Sequence, residues 1–274
     1  MAQPQRLPSL RRVAVCGGTH GNEMTGVYLA KHWLRDASEL QRGTFHATPF
    51  LGNPRATEQC VRYIGRDLNR TFTDELLNST DLATKPYEVQ CAQEINKAFG
   101  PRGSSQAYDF MFDLHNTTAN MGSCLFVASE HCLLPMHMCD YIQKHYTLGR
   151  CPVFLYQQPG DETLYLTSVA KASLGTLFPA FEIEAYKVVE RVDFPRYSDG
   201  KISAVVHPNL QDKDFQPLKP GDPIFQTLNG EDVLYEGPDI SYPAFINEAA
   251  YYEKKVAFIK MEKHTFFQPA LQKF

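Results

Sequence analysis

The chain predicts two domains: an α/β domain with a mostly parallel sheet over residues 1–175, then a β-rich domain over residues 176–274. Three observations carry this. Apolar strand-like runs alternate with helix-periodic stretches up to residue 175. From Phe181, "FEIEAYKVVERVDFP" alternates apolar and polar residues, as a half-solvated antiparallel strand does. Beyond it, the turn clusters "YSDG", "KPGD" and "LNGED" separate short strand-like runs.

Each element follows from its own pattern. "RRVAVCGG" reads as a buried strand, and "MTGVYLAKHWLRD" as a helix with Val27, Ala30, Trp33 and Leu34 on one stripe. "TFHATPFLGNPRA" is a second strand ending in a Gly-Asn-Pro turn. In "PYEVQCAQEINKAFGP" Pro86 suits the first helical turn, Val89, Ala92 and Ile95 share a face, and Gly100-Pro101 stops the helix. "YDFMFDLH" is a strand, "LLPMHMCDYIQKHY" a helix and "CPVFLYQ" another strand.

Composition narrows the partners. An apolar share of 43% and a charged share of 21% are those of a globular chain, with 274 residues enough for a sizeable core. Lys plus Arg total 27 against 31 acids, a net charge of -4, which gives no electrostatic case for nucleic acid or a membrane surface as main partner. Seven cysteines, none in a CxxC pair, read as thiols in a reducing cytosol. "MAQPQRLPSLRR" lacks an apolar leader, and no run reaches bilayer length. A cytoplasmic protein without integral membrane association is expected; peripheral membrane association is left open.

The chemistry starts in "VAVCGGTHGNE". His20 and Glu23, three apart on a tight turn, can face one ion, and glycines at 17, 18 and 21 let the backbone bend and approach closely. A third ligand comes from His115, which ends the apolar strand of "FMFDLHNTTANMG", the position where ligands gather in open α/β sheets. Two histidines and a carboxylate, with a position left for water, are the open arrangement of catalytic zinc. Asp113 lies on the same strand face as His115 and can steer an imidazole. The bland alternative is a pair of capped turns with satisfied histidines. His32, His46, His131, His137, His145, His207 and His264 carry no ligand spacing.

In "CVRYIGRDLNRTF", Arg62, Arg66 and Arg70 recur every four residues, around the polar cluster Asp67, Asn69, Arg70. One reading is a solvated helix face with an internal ion pair. The other is a carboxylate clamp, with an arginine near the metal polarising a scissile carbonyl. Spacing leaves both open.

"GGTHGNE", "RDLNRTF", "FDLHNTTANMG", "VHPNLQD" and "NEAAYYEKK" together resemble the aspartoacylase and aminoacylase-3 family, over nearly the whole chain. The resemblance implies a zinc carboxypeptidase-like domain, shortened here, followed by a β-rich domain. It implies one zinc per chain held by His20, Glu23 and His115, with Asp67 and Asp113 supporting these ligands. Arg62 would polarise the amide carbonyl, Asn69 and Arg70 would hold the substrate α-carboxylate, and Tyr251 would reach the pocket from the second domain. The implied reaction deacylates N-acyl amino acids to a carboxylate and a free amino acid, in a cytoplasmic homo-oligomer.

The sequence departs from this family in one place. The family's catalytic glutamate lies in a strand near Gly-[Ile/Leu]-Glu-[Val/Leu]-Gly-Pro, followed by a long helix. Here "VAKASLG" runs from Gly175 straight into "TLFPAFEIEAY", so the general base has no counterpart. Glu182 and Glu184 fall in what matches a structural strand. The alternative expectation is therefore an impaired chain that retains only zinc or partner binding. Thr167 stands where the aspartate-specific branch has an arginine, and no arginine lies between Arg150 and Arg191. An apolar or aromatic side chain is thus favoured over a second carboxylate.

Overall fold

A computed structural model describes residues 5–7, 10–80, 85–117, 121–156, 165–170, 180–252, 254–269 and 271–273. The junction at Gly175–Thr176, where the family strand is missing from the sequence, lies outside the described residues. Two compact units form. The first comprises Met1–Asn116, Gln158–Ala180 and Pro269–Phe274; the second comprises Thr117–Gln157 and Phe181–Gln268.

In the first unit, β2 (Arg12–Gly17) runs parallel to β3 (His46–Leu51) on one side and to β4 (Phe110–Leu114) on the other. β1 (Gln5–Leu7) pairs separately with β13 (Leu271–Lys273). β2 is buried along nearly its whole length because it is the central strand, with neighbours on both sides. Helix α1 (Met24–Arg35) follows the turn after β2. Its packed stripe is Gly26, Val27 and Ala30, while Leu34, expected on that stripe, is 53% exposed. The reason is close approach of the backbones: a Cβ on Gly17 would stand 1.9 Å from the Gly26 carbonyl oxygen, so only glycine lets the helix lie so near the strand. The face that packs is therefore the one carrying Gly26, Val27 and Ala30.

The Gly-Asn-Pro run after β3 is more than a turn. It starts α2 (Pro54–Gln59), with Pro54 in the first turn and the Asn53 side chain accepting the Ala56 N–H at 3.1 Å. A short helix, α3 (Asp74–Leu77), is capped by Thr73. Helix α4 (Tyr87–Phe99) buries Val89, Ala92 and Ile95 as the spacing predicts, and also Glu88. The core under the sheet joins Ala14, Leu68, Phe72, Ile95, Phe99 and Leu166.

The second unit holds β5 (Leu125–Val127), α5 (Leu133–His145), β6 (Val153–Leu155), β7 (Phe181–Val192), β8 (Ala204–Val206), β9 (Pro223–Thr227), β10 (Asp232–Leu234), β11 (Tyr242–Ala244) and β12 (Phe258–Gln268). β5, β6 and β7 pair in parallel, and β7 pairs antiparallel with β12 along nearly its whole length. The sheet order is β11-β12-β7-β6-β5, with β10-β9-β8 as a separate antiparallel sheet. The sequence reading puts β5, α5 and β6 with the first domain. In the structure they continue into the C-terminal strands, because β6 finds its hydrogen-bonding partner in β7. Among the described residues no helix is long and apolar enough to cross a membrane.

Replacing Gly17 by alanine is expected to lower unfolding free energy by about 3 kcal/mol, since the added methyl meets backbone rather than a movable side chain. Phe72→Ala, at a fully buried site, is expected to cost about 3–5 kcal/mol. Urea unfolding of both variants checks these values.

Candidate metal centre

The end of β2 supplies half of the site. After Gly17 the chain turns through Gly18, at φ +71°, and closes when the Glu23 N–H donates to the His20 carbonyl at 3.1 Å. Gly21 lies against α2, where an added Cβ would be 2.0 Å from the Ala56 carbonyl carbon. Its N–H donates to the Arg62 carbonyl at 3.2 Å, which ties the turn to the segment carrying the arginines. The end of β4 supplies the other half: Asp113 stands in register with Cys16, and His115 follows the strand's last residue.

Glu23 is the hub. Its Oε1 lies 2.7 Å from His20 Nδ1, and its Oε2 lies 2.7 Å from His115 Nδ1. It also accepts from Arg62 Nη1 at 3.2 Å and from the Asn116 N–H at 3.0 Å. The far nitrogen of each imidazole faces another carboxylate. Asp67 Oδ1 is 3.0 Å from His20 Nε2, and Asp113 Oδ2 is 2.7 Å from His115 Nε2. The Thr19 hydroxyl donates to Asp113 at 2.6 Å, and the Asn69 N–H donates to Asp67 at 3.0 Å.

Burial alone would push the Glu23 carboxyl up, but the hydrogen bonds and charges of His115 and His20 outweigh it and hold it far below the usual carboxylate range. Asp113 is likewise held low against its burial, by His115 and Thr19. Burial would lower His115, yet Asp113 and Glu23 on its two sides push it up to about 10. The Cys16 thiol beneath them is driven well above its ordinary value by burial and by Asp113, so it is an inert core thiol.

One donor atom from each of His20, Glu23 and His115 lies within 4.8 Å of the other two, and among the described residues no other such group occurs. The residues fit a divalent ion. Two imidazoles and a carboxylate are a donor set of the right kind. Each imidazole also has the rear carboxylate that a metal-bound histidine uses to fix its tautomer and ring orientation.

Arg62 and Asn69 join this cluster and Arg70 adjoins Asn69, but on irregular chain ending in a 3-10 turn, Leu68–Arg70, and not on a solvated helix face. Arg62 reaches Glu23 and lies 3.7 Å from Asp67, while its buried Nε–H has no partner. Arg70 lies over the Tyr165 ring at 5.2 Å and donates to the Asn69 carbonyl at 2.5 Å. Asn69 Oδ1 accepts the Leu166 N–H at 2.9 Å, which turns its amide nitrogen toward His115 Nε2 at 3.3 Å.

Tyr251 belongs to the second unit, in the 3-10 turn Ala249–Tyr251, where its ring meets Phe245 edge-on at 5.7 Å. Glu182 and Glu184 lie on β7 of that unit. Both side chains are exposed, and Glu184 pairs across the strands with Lys263. Sequence reasoning missed Thr19, Asn53, Glu88, Asn116 and Leu166. The Asn-Pro step was a legible helix start for Asn53; the others carry no local signal.

A strand-end His–Glu–His group with an arginine and an asparagine beside it, on a parallel α/β sheet, defines a hydrolytic α/β enzyme with a metal-competent centre. The catalytic-domain profile of succinylglutamate desuccinylase/aspartoacylase matches residues 9–187, and the AstE/AspA barrel-sandwich hybrid domain matches residues 181–263. The chain belongs to this succinylglutamate desuccinylase/aspartoacylase family of enzymes acting on amides. It is 52% identical over 298 positions to a Homo sapiens protein named N-acyl-aromatic-L-amino acid amidohydrolase (carboxylate-forming), covering 96% of this chain and 93% of that one. It is 43% identical to the Danio rerio aspartoacylase, covering 97% of this chain and 96% of that one. The crystal structure of murine aminoacylase 3 superposes with a TM-score of 0.91 at 47% identity, covering 98% of this chain and all of that one. The 298 aligned positions exceed the 274 residues of this chain, so the human relative has residues that this chain lacks.

Asn69→Ala leaves the buried Leu166 N–H without its acceptor and is expected to cost about 1–3 kcal/mol. Urea unfolding of the variant checks this value.

Proposed function

We propose that the chain is a zinc-dependent amidohydrolase that deacylates N-acyl L-amino acids, preferentially aromatic or mercapturate-type ones, to a carboxylate and a free amino acid. The observation that carries this is the convergence of His20, Glu23 and His115 with a carboxylate behind each imidazole, in a chain so similar to a named amidohydrolase. These relatives favour an enzyme over a chain that only binds zinc or a partner.

His20, Glu23 and His115 would hold the zinc, which when bound supplies Lewis-acid polarisation of a carbonyl and acidifies water. Asp67 and Asp113 keep the imidazoles aimed. The Arg62 guanidinium, partly exposed beside Glu23, would donate to a substrate carbonyl as negative charge develops on its oxygen. Arg70, which pairs with no carboxylate among the described residues, offers its guanidinium to the substrate α-carboxylate, with Asn69 beside it. Thr167, in the 3-10 turn Leu166–Val169, offers no cation for a second carboxylate.

No carboxylate of the cluster is free to take a proton: Glu23, Asp67 and Asp113 all serve the imidazoles. The family's glutamate has no counterpart in this sequence, so turnover is limited at proton transfer. The reading also includes a homo-oligomer and a reducing, cytoplasmic setting, the latter in keeping with seven free thiols.

Two measurements test it. Purified protein should bind one zinc and release tyrosine from N-acetyltyrosine, losing that activity to a chelator and regaining it with zinc. N-acetylaspartate should be about a hundredfold poorer in kcat/KM, the cost of an unpaired carboxylate; folded protein that takes up no zinc ends the proposal. Inserting the family's strand, glutamate and helix after Gly175 should raise kcat by about 10² to 10⁴. An unchanged kcat would show that another group takes the proton.

A further inference from the structure

Glu88 is fully buried in the first turn of α4, although a glutamate there ordinarily faces water. No cation pairs with it among the described residues. Instead Oε1 accepts the Ile64 N–H at 2.7 Å and the Asn53 side-chain N–H at 3.1 Å, while Oε2 accepts the Gly65 N–H at 3.2 Å and the Arg66 N–H at 3.0 Å. Three successive backbone amides converging on one anion form a nest, which fixes the backbone that supplies them. Burial raises the Glu88 carboxyl, but these N–H groups outweigh it and keep it ionised. A buried charge without a counter-ion is costly unless its hydrogen bonds are complete, and here they organise a loop that is itself exposed at Gly65 and Arg66.

The loop is placed between the residues that matter. Arg62 lies two positions before the anchored amides, and Asp67 one position after them. Asn53 links Glu88 to the other arm of the site. Its side chain caps α2, against which Gly21 packs, and its own N–H donates to the Gly18 carbonyl at 2.9 Å. One carboxylate therefore holds both the turn that presents His20 and Glu23 and the segment that presents Arg62 and Asp67.

We infer that Glu88 is a positioning residue of the metal centre: by gathering the amides of residues 64–66 it fixes Asp67 behind His20 and Arg62 against Glu23. This rests on the zinc reading given above. Its hydrogen bonds go to Asn53 and to the amides of residues 64–66, so its effect passes through the loop.

The test is Glu88→Gln in the full chain, where one oxygen becomes an N–H₂ group that cannot accept two of the amides. Zinc dissociation constants come from competition with a chromogenic chelator, and amide hydrogen exchange is followed residue by residue. The variant should bind zinc about 10- to 100-fold more weakly, the scale for losing support behind a ligand. Amides 64–66 should lose protection while those of β2 and α4 keep theirs. Unchanged zinc affinity with unprotected 64–66 amides overturns the inference. Should the variant not fold, the metal-free wild type decides: its 64–66 amides must be protected before zinc is added, and protection that appears only with zinc overturns it. A wild type that takes up no zinc would end the metal reading alone. The His20 ring proton facing Asp67 then decides, since Glu88→Gln moves its resonance only if Glu88 positions Asp67.

Discussion

Glu23 holds the site together by satisfying two imidazoles, a guanidinium and a backbone amide with a single buried carboxylate. Burying that charge is unfavourable in itself, and it is tolerated because every lone-pair direction finds a donor. The same logic extends outward. His20 and His115 are each bracketed by two carboxylates, and those carboxylates are fixed in turn by Asn69, Thr19 and Arg62. A network of this kind is either fully satisfied or costly. That is why His115 is pushed so far toward its charged form.

The network dictates what the backbone must do. His20 and Glu23 can reach one point only if the chain turns tightly at the end of β2, and the turn can pack only if Gly17 and Gly21 lack side chains. His115 can reach it only if β4 runs parallel beside β2, with Asp113 opposite Cys16. The segment from Arg62 to Arg70 is held from below by Glu88 and from the side by Gly21 and Leu166. The rigidity of the site thus comes from hydrogen bonds between loops, since the strands contribute only their ends.

The grouping of His20, Glu23 and His115 was legible because its signals are local. Glycines around His20, apolar runs before His20 and His115, and an Asp two residues before His115 bear on the adjacent ends of β2 and β4. Helix α4 was legible for the same reason: its period, its proline and its Gly-Pro stop act within a few residues. What escaped is non-local. Nothing near Glu88 tells that Ile64, Gly65 and Arg66 will point their amides at it, and nothing near Leu166 tells that its N–H will orient Asn69. The stripe on α1 was misread because the contact between Gly17 and Gly26 outweighs the larger side chains further along. The pairing of β6 with β7 could not be read either, since a short apolar strand carries no mark of which neighbour it will take.

The absent family segment bears differently on affinity and on rate. Every residue proposed to grip the ion or the α-carboxylate lies in the first unit and is fixed by partners in that unit. Their ground-state geometry depends on β2, β4, α2 and the loop from Arg62 to Arg70, all of which are in place. In the function proposed above, what its absence removes is a proton acceptor that acts only as the bond breaks. An interaction made only in the transition state contributes to kcat without contributing to binding. Its loss therefore lowers kcat and kcat/KM together while KM and zinc affinity stay close to their values with the segment present. A defect confined to folding would instead lower the active fraction and leave each remaining molecule as fast as before, so the ratio of turnover to bound zinc separates the two causes.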